Sequence, residues 1–315
     1  MTKLDSNIAK EIASAYLQES INSIDPIVGK GSVNQLFIVR SNNNEIVVRL
    51  NHDRRAMIEY EKESWCIDQA IQSGIPSPDV LAVGQYGETP YMILSLVEGE
   101  HGENSQIENK YIWRKIGQYT KAFHSIKVSG FGEILADRDS GAFEAPLHEN
   151  FDGTWLGYIK YNINSLTAED ELIKLGILTI HQSETIKKRF ERLLEQPFQF
   201  GLTHGDLSLK NTIVNKDGLV SLLDWGSAAV NIVPHWDLIL CLQCLIDGKL
   251  NAAEFQAFLE GYGITRSQFL SMEKDLHTLI LLNAFDKLRW AIDCNPLCIP
   301  DFVKRAKIVV GLFLD

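Results

Sequence analysis

The chain is short of basic residues. Lys and Arg number 30 against 41 Asp and Glu, a formal net charge of -11 in 315 residues. That balance argues against nucleic acid or an anionic membrane surface as a partner. No apolar run reaches membrane-spanning length. The start, Met1-Thr2-Lys3-Leu4-Asp5, lacks the basic and apolar segments of a secretory signal. Five cysteines, an odd number, do not make a secreted disulfide framework. A cytoplasmic protein is therefore expected. Internal repeats and low-complexity tracts are also missing. What remains, 45% hydrophobic and 23% charged, is an ordinary globular composition, long enough for two lobes around a cleft.

Most of the chemical information lies in Leu202-Thr203-His204-Gly205-Asp206-Leu207-Ser208-Leu209-Lys210-Asn211, followed by Leu222-Leu223-Asp224-Trp225. Ile213 and Val214, then Leu219 to Leu223, read as a hairpin closed by Lys216-Asp217-Gly218. The hairpin would fold Asp224 back towards the Asp206 loop, bringing two carboxylates and one amide together. Hard oxygen ligands of this kind suit Mg²⁺, which binds one or two carboxylates and completes its shell with substrate phosphates. Cys241 and Cys244 could chelate zinc by spacing. They stand, however, in Leu238-Ile239-Leu240-Cys241-Leu242-Gln243-Cys244-Leu245-Ile246, the pattern of a buried helix, and are read as packing. Cys294-x-x-x-Cys298 is the other short cysteine pair.

The spacing of His204, Asp206, Asn211 and Asp224 follows the phosphoryl-transfer signature of kinases. With Gly205 after the His and Trp225 after the second Asp, the string resembles the aminoglycoside phosphotransferase and choline kinase-like family, and Arg49 with the segment Gly130-Phe131-Gly132 resembles its hygromycin-type members most. The resemblance implies a bilobal, protein-kinase-like α+β fold. A nucleotide-binding lobe, residues 1–96, would hold an antiparallel sheet and a helix. A larger, mostly helical lobe, residues 97–315, would hold the catalytic loop and the acceptor. It implies Asp206 as the catalytic base, Asn211 and Asp224 as ligands of Mg²⁺, and ATP or GTP as donor. His204 would brace the loop, and Asp237 would cap or tie it.

Upstream, the same resemblance gives roles to weaker signals. Ile27 to Leu50 reads as three strands, with a first turn at Val28-Gly29-Lys30-Gly31-Ser32-Val33-Asn34. Gly29, Gly31 and Ser32 are candidates to approach nucleotide phosphates through backbone N–H groups. Asn42-Asn43-Asn44 closes the next hairpin. The following strand carries Arg49 in the slot where kinases place a phosphate-binding Lys, and an Arg fork is adequate for that task. Arg54 to Ser73 has helical spacing and ends at Gly74. Of Glu59, Glu61 and Glu63 in it, family spacing favours Glu63 as the partner of Arg49. Backbone groups near Ser95 and Val97 would meet the nucleobase at the hinge.

Further expectations are a helix over Asn7 to Leu17, capped by Ser6, with a stripe of Ile8, Ile12, Ala15 and Tyr16. Helices are also expected over Ile107 to Ile126, Thr154 to Ile163 and Glu184 to Leu194. A looser stretch follows Ser129-Gly130-Phe131-Gly132, and three or four helices make up the tail. The acceptor implied is a cationic small molecule with a hydroxyl, of aminoglycoside or aminocyclitol type, with antibiotic resistance as the biological role. Choline, ethanolamine, a sugar or homoserine are alternatives, as is a silent nucleotide-binding relative. A monomer is expected. Asp286, Asp293 and Asp301 in the tail read as surface acids.

Overall fold

The computed structural model describes residues 3–27 and 34–314. The chain divides into two compact units. One comprises Met1–Ile126 with Asp206–Ala228, and the other Lys127–Gly205 with Ala229–Asp315.

The first unit is built on an antiparallel five-stranded sheet of β1 (Ser23–Ile27), β2 (Gln35–Arg40), β3 (Glu45–Leu50), β4 (Val80–Tyr86) and β5 (Thr89–Ser95), in the order β1-β2-β3-β5-β4. The central β3 is buried on both faces except at exposed Glu45 and half-buried Arg49, as its run Ile46-Val47-Val48 requires. β2 and β3, and β4 and β5, form hairpins, and Ser41 N donates to Asn44 O at 2.9 Å in the Asn-rich turn. Helix α1 (Lys3–Leu17) packs on the sheet through Ala9, Ile12 and Ala13 against Phe37, Val39, Val48 and Leu50.

This corrects the expected stripe. Ser6 lies inside the helix, Ala15 and Tyr16 face solvent, and the buried face is one residue round. Two alanines let the helix approach the sheet more closely than a face carrying Tyr16 could.

Helix α2 (Ala56–Gln72) ends at Ser73, with Gly74 at φ +77° beyond it. Helix α3 (Asn109–Phe123) buries Ile112, Trp113, Ile116 and Phe123. A second sheet joins Glu100–His101 to the hairpin Thr212–Val214 and Val220–Leu222. Gly99 leads into it at φ +139°, where a Cβ would stand 2.4 Å from Val214 O, so only glycine fits.

The second unit is mostly helical: α4 (Trp155–Ser165), α5 (Glu171–Lys174), α6 (Ile180–Leu193), α7 (His235–Ile246), α8 (Ala252–Tyr262), α9 (Arg266–Cys294) and α10 (Ile299–Phe313). Thr154 caps α4 by accepting from Gly157 N, and reciprocal capping boxes start α6, α8 and α9. The stretch after Ser129 is more ordered than its composition suggests. Ser129–Gly130, Ile134–Asp137 and Ala142–Glu144 form a small three-stranded sheet. Gln199–Thr203 pairs antiparallel with Ala229–Val233. Arg289 of α9 reaches Asp170 at 2.7 Å and Asn162 at 3.0 Å in a buried clamp. No helix among the described residues is long and apolar enough to cross a membrane.

Candidate active site

Arg49 projects from β3, half-buried, and lies over the Tyr60 ring at 5.2 Å. Its Nη1 donates to both oxygens of Glu63 on α2, at 2.8 and 2.9 Å. Glu63 is the carboxylate that meets Arg49, and it is 2% exposed. With the Asn34 amide oriented by its neighbours, its oxygen accepts from Arg49 Nε at 2.9 Å and its nitrogen donates to the Tyr60 hydroxyl at 2.9 Å. Burial pushes the Glu63 carboxyl up and Arg49 pulls it back, while nearby Asp224 pushes in the same direction as burial. Burial opposes the Arg49 charge too, but Glu63, Tyr60 and Asp224 together hold it above its ordinary value.

Asp206, Asn211 and Asp224 lie in the same unit. Asn211 Nδ2 donates to Asp206 Oδ2 and to Asp206 O, both at 2.8 Å. A side-chain amide with both bonds committed at nitrogen is fixed in orientation, which leaves its oxygen as an acceptor on the other side. Leu223 N donates to the backbone oxygen of Asn211 at 2.9 Å, so the residue before Asp224 is tied to the backbone of Asn211. The hairpin that returns the chain is anchored from outside: Leu222 N donates to Pro76 O at 2.8 Å, and Trp225 Nε1 to Ser77 Oγ at 3.4 Å. Trp225 is fully buried, edge-on to Phe123 at 5.4 Å.

Asp224 adopts φ +61°, ψ +65°, a left-handed conformation that costs a non-glycine residue about 1 kcal/mol. Its side chain is 51% exposed and stands 3.9 Å from Arg49 Nη2. At Gly226 a Cβ would meet Glu63 Oε2 at 3.4 Å and Asp224 Oδ1 at 3.5 Å, so the chain passes within ordinary van der Waals contact of the ion pair. Asn211 Oδ1 and the Asp224 carboxylate are hard oxygen donors from one amide and one acid. That set fits Mg²⁺, whose remaining positions are taken by water and phosphate oxygens. Among the described residues no group of three or more His, Cys, Asp or Glu could hold a metal. Cys241 is buried, and burial pushes its thiol well up, as an inert packing residue requires.

Gly29, Gly31 and Ser32 lie outside the described residues. Ser95 ends β5, and its N–H is already committed to Asp79 O at 2.9 Å, while its hydroxyl accepts from Asp79 N at 2.8 Å. Val97 is half-buried in the segment that follows. In the second unit His204 is fully buried, and Gly205 N donates to Asp237 Oδ1 at 3.3 Å, so Asp237 ties the loop. Asp293 and Asp301 are exposed, whereas Asp286 is half-buried, and burial pushes its carboxyl up against the opposing hydrogen bond from Tyr158.

Lys62 was not legible in the sequence. It is 7% exposed, and its Nζ donates to Gly226 O at 2.7 Å and Ala228 O at 3.0 Å. The turn after Asp224 is thus pinned to the helix that carries Glu63. Nothing distinguishes a Lys of this kind from a solvated one in a helix of alternating charge. Lys210 Nζ stands 3.5 Å from Asp206 Oδ2, and its backbone oxygen pairs with His101 Nδ1 at 2.9 Å.

The profile of the phosphotransferase enzyme family matches residues 26–271. Among solved structures, the GDP complex of wild-type aminoglycoside 2'-phosphotransferase-IIIa is similar at 16% identity, covering 99% of this chain and 100% of that one, with a TM-score of 0.71. Aminoglycoside phosphotransferase APH(4)-Ia is similar at 16% identity, 98% of each chain and 0.69. Macrolide 2'-phosphotransferase MphH from Brachybacterium faecium is similar at 15% identity, 98% of each chain and 0.63. These likenesses show a kinase-like fold with an antiparallel sheet in the N-terminal region and a helical C-terminal region. Among curated proteins, the probable serine/threonine-protein kinase RTK1 of Saccharomyces cerevisiae is 50% identical over 40 residues, a match that spans 13% of this chain and 6% of that protein. On a match that spans most of its length, the chain belongs to the phosphotransferase enzyme family.

Proposed function

We propose that the protein transfers the γ-phosphoryl group of ATP or GTP to a hydroxyl of a small cationic molecule, of aminoglycoside or aminocyclitol type. In this reading residues 1–96 form the nucleotide lobe and residues 97–315 the catalytic and acceptor lobe. The observation that carries it is the hold of Asn211 on Asp206 at 2.8 Å, with Asn211 itself tied to the residue before Asp224. That arrangement orients the Asp206 carboxylate and supports the reading of Asp206 as base and Asp224 as cation ligand.

Asp206 accepts the proton of the acceptor hydroxyl as its oxygen bonds to the γ-phosphorus. The bond from that phosphorus to the β–γ bridging oxygen breaks, and the nucleoside diphosphate leaves with the electron pair. Asn211 and Asp224 would hold Mg²⁺, which offsets charge on the phosphate oxygens when bound. Arg49, held in place by Glu63 and Asn34, offers its positive charge and the remaining N–H of Nη2 to the outer phosphates. Gly29, Gly31 and Ser32 would cover them with backbone N–H groups, and the chain at Ser95 and Val97 would face the nucleobase. Such chemistry is positioning and electrostatics, which is why the site needs few reactive side chains. The net charge of -11 is compatible with a polycationic acceptor. A metabolic acceptor such as choline, ethanolamine, a sugar or homoserine would use the same machinery.

The test is turnover with ATP and GTP against a panel of aminoglycosides, aminocyclitols, macrolides and small alcohols, alongside Asp206→Ala. Loss of about 10² to 10⁴ in kcat is expected for that variant. Turnover undiminished by it would remove Asp206 from the chemistry.

A further inference from the structure

The second unit contains a cavity of about 550 Å³, within the size range of small-molecule sites. It lies beside the first residues of the strand Gln199–Thr203, whereas His204 and Gly205 leave the other end of that strand. Its walls include Phe131, Trp155, Phe198 and Phe200. Phe131 meets Trp155 edge-on at 5.6 Å, and Trp155 meets Phe198 edge-on at 5.8 Å. Phe200 stands nearly perpendicular to Phe131 at 6.4 Å. In an edge-to-face contact one ring covers one face of its neighbour, and the opposite faces stay open to another partner.

The electrostatics have one sign. Glu144, an exposed carboxylate, is in the lining, and no Lys, Arg or His is. His235 packs against Phe198 at 4.9 Å, but burial lowers its pKa to about 4, so it adds no positive charge at neutral pH. The start of α4 also lines the cavity, and a helix N-terminus disfavours a cation. Here that end is already answered. Asp152 Oδ1 accepts from Thr154 N at 3.0 Å and from its hydroxyl at 2.7 Å. The negative charge of Asp152 therefore sits on the dipole.

We infer that this cavity is a binding site for a small alkylammonium cation, separate from phosphoryl transfer. Aromatic faces bind such a cation where ordinary apolar walls do not, because the attraction is to charge and not to surface alone. The inference does not rest on the proposed reaction.

The test uses the full chain labelled at its indole nitrogens, with the Trp155 resonance assigned through Trp155→Phe. Tetramethylammonium chloride is the probe; it has no hydroxyl and cannot be a phosphoryl acceptor. tert-Butanol, of similar bulk and neutral, is the control, at matched ionic strength. Tetramethylammonium is expected to shift the Trp155 resonance saturably, at least about tenfold more tightly than tert-butanol. Phe200→Ala, at a 41% exposed position, is expected to weaken binding about threefold to thirtyfold. Glu144→Gln is expected to weaken it about threefold, and it carries the test if Phe200→Ala lowers Tm. Equal affinity for the neutral control, or undiminished affinity in these variants, overturns the inference.

Discussion

Replacing Glu63 by Gln and Arg49 by Met, singly and together, probes the element on which the nucleotide site is proposed to stand. Arg49 Nη1 makes two charge-assisted bonds to a carboxylate that is 2% exposed. Removing one partner of a buried pair costs about 3–5 kcal/mol, because the other charge is stranded. Here part of that loss is recovered. Asn34 and Tyr60 still surround the guanidinium, and Asp224 stands 3.9 Å away with half its side chain in water. About 2–4 kcal/mol is therefore expected for Glu63→Gln, measured by urea denaturation. The same variant frees Arg49 to move towards Asp224, so the KM for Mg-nucleotide should rise. Arg49→Met strands Glu63 instead, and its buried carboxyl takes up a proton. The double variant strands neither charge. Its loss should fall short of the sum of the singles by at least about 1.5 kcal/mol. Additivity within about 0.5 kcal/mol would show that the two residues do not act as a unit, and would remove the reason for assigning Glu63 a role.

Other outcomes follow from the same geometry. Asp224→Gly keeps the left-handed turn without its strain; stability should hold or rise by up to about 1 kcal/mol while calorimetry shows weakened Mg-nucleotide binding. Lys210→Gln should leave stability within about 0.5 kcal/mol, since the Lys210–Asp206 pair is exposed, yet lower kcat by removing the cation that stands 3.5 Å from the proposed base, as matched unfolding and turnover measurements would show. His235, lowered by burial to about 4, is protonated more readily in the unfolded chain. Stability should be level above about pH 6.5 and fall by up to about 3 kcal/mol as pH drops towards 4, because the unfolded state binds the extra proton there. His235→Asn should flatten that part of the curve in denaturation at each pH.

The sequence by itself determined the family and the local frame of the site. The spacing of His204, Asp206, Asn211 and Asp224 depends on one loop and one hairpin, and a hairpin's register is set by its own turn residues. Gly74 and the Asn-rich turn at 42–44 marked ends for the same local reason. The α1 face was misread because Ala and Ser carry little hydrophobic signal, and only the sheet decides which side is covered. Lys62 was invisible because its partners, Gly226 O and Ala228 O, are backbone atoms more than 160 positions away. Its burial is a property of tertiary structure alone. The choice of Glu63 over Glu59 and Glu61 needed the family spacing in the sequence, and in the molecule it needs the rotation of α2 over β3. The aromatic cavity was equally unreadable. Phe131, Trp155 and Phe200 share no signal in the sequence, and only the fold gathers them around one space with no basic side chain in its lining.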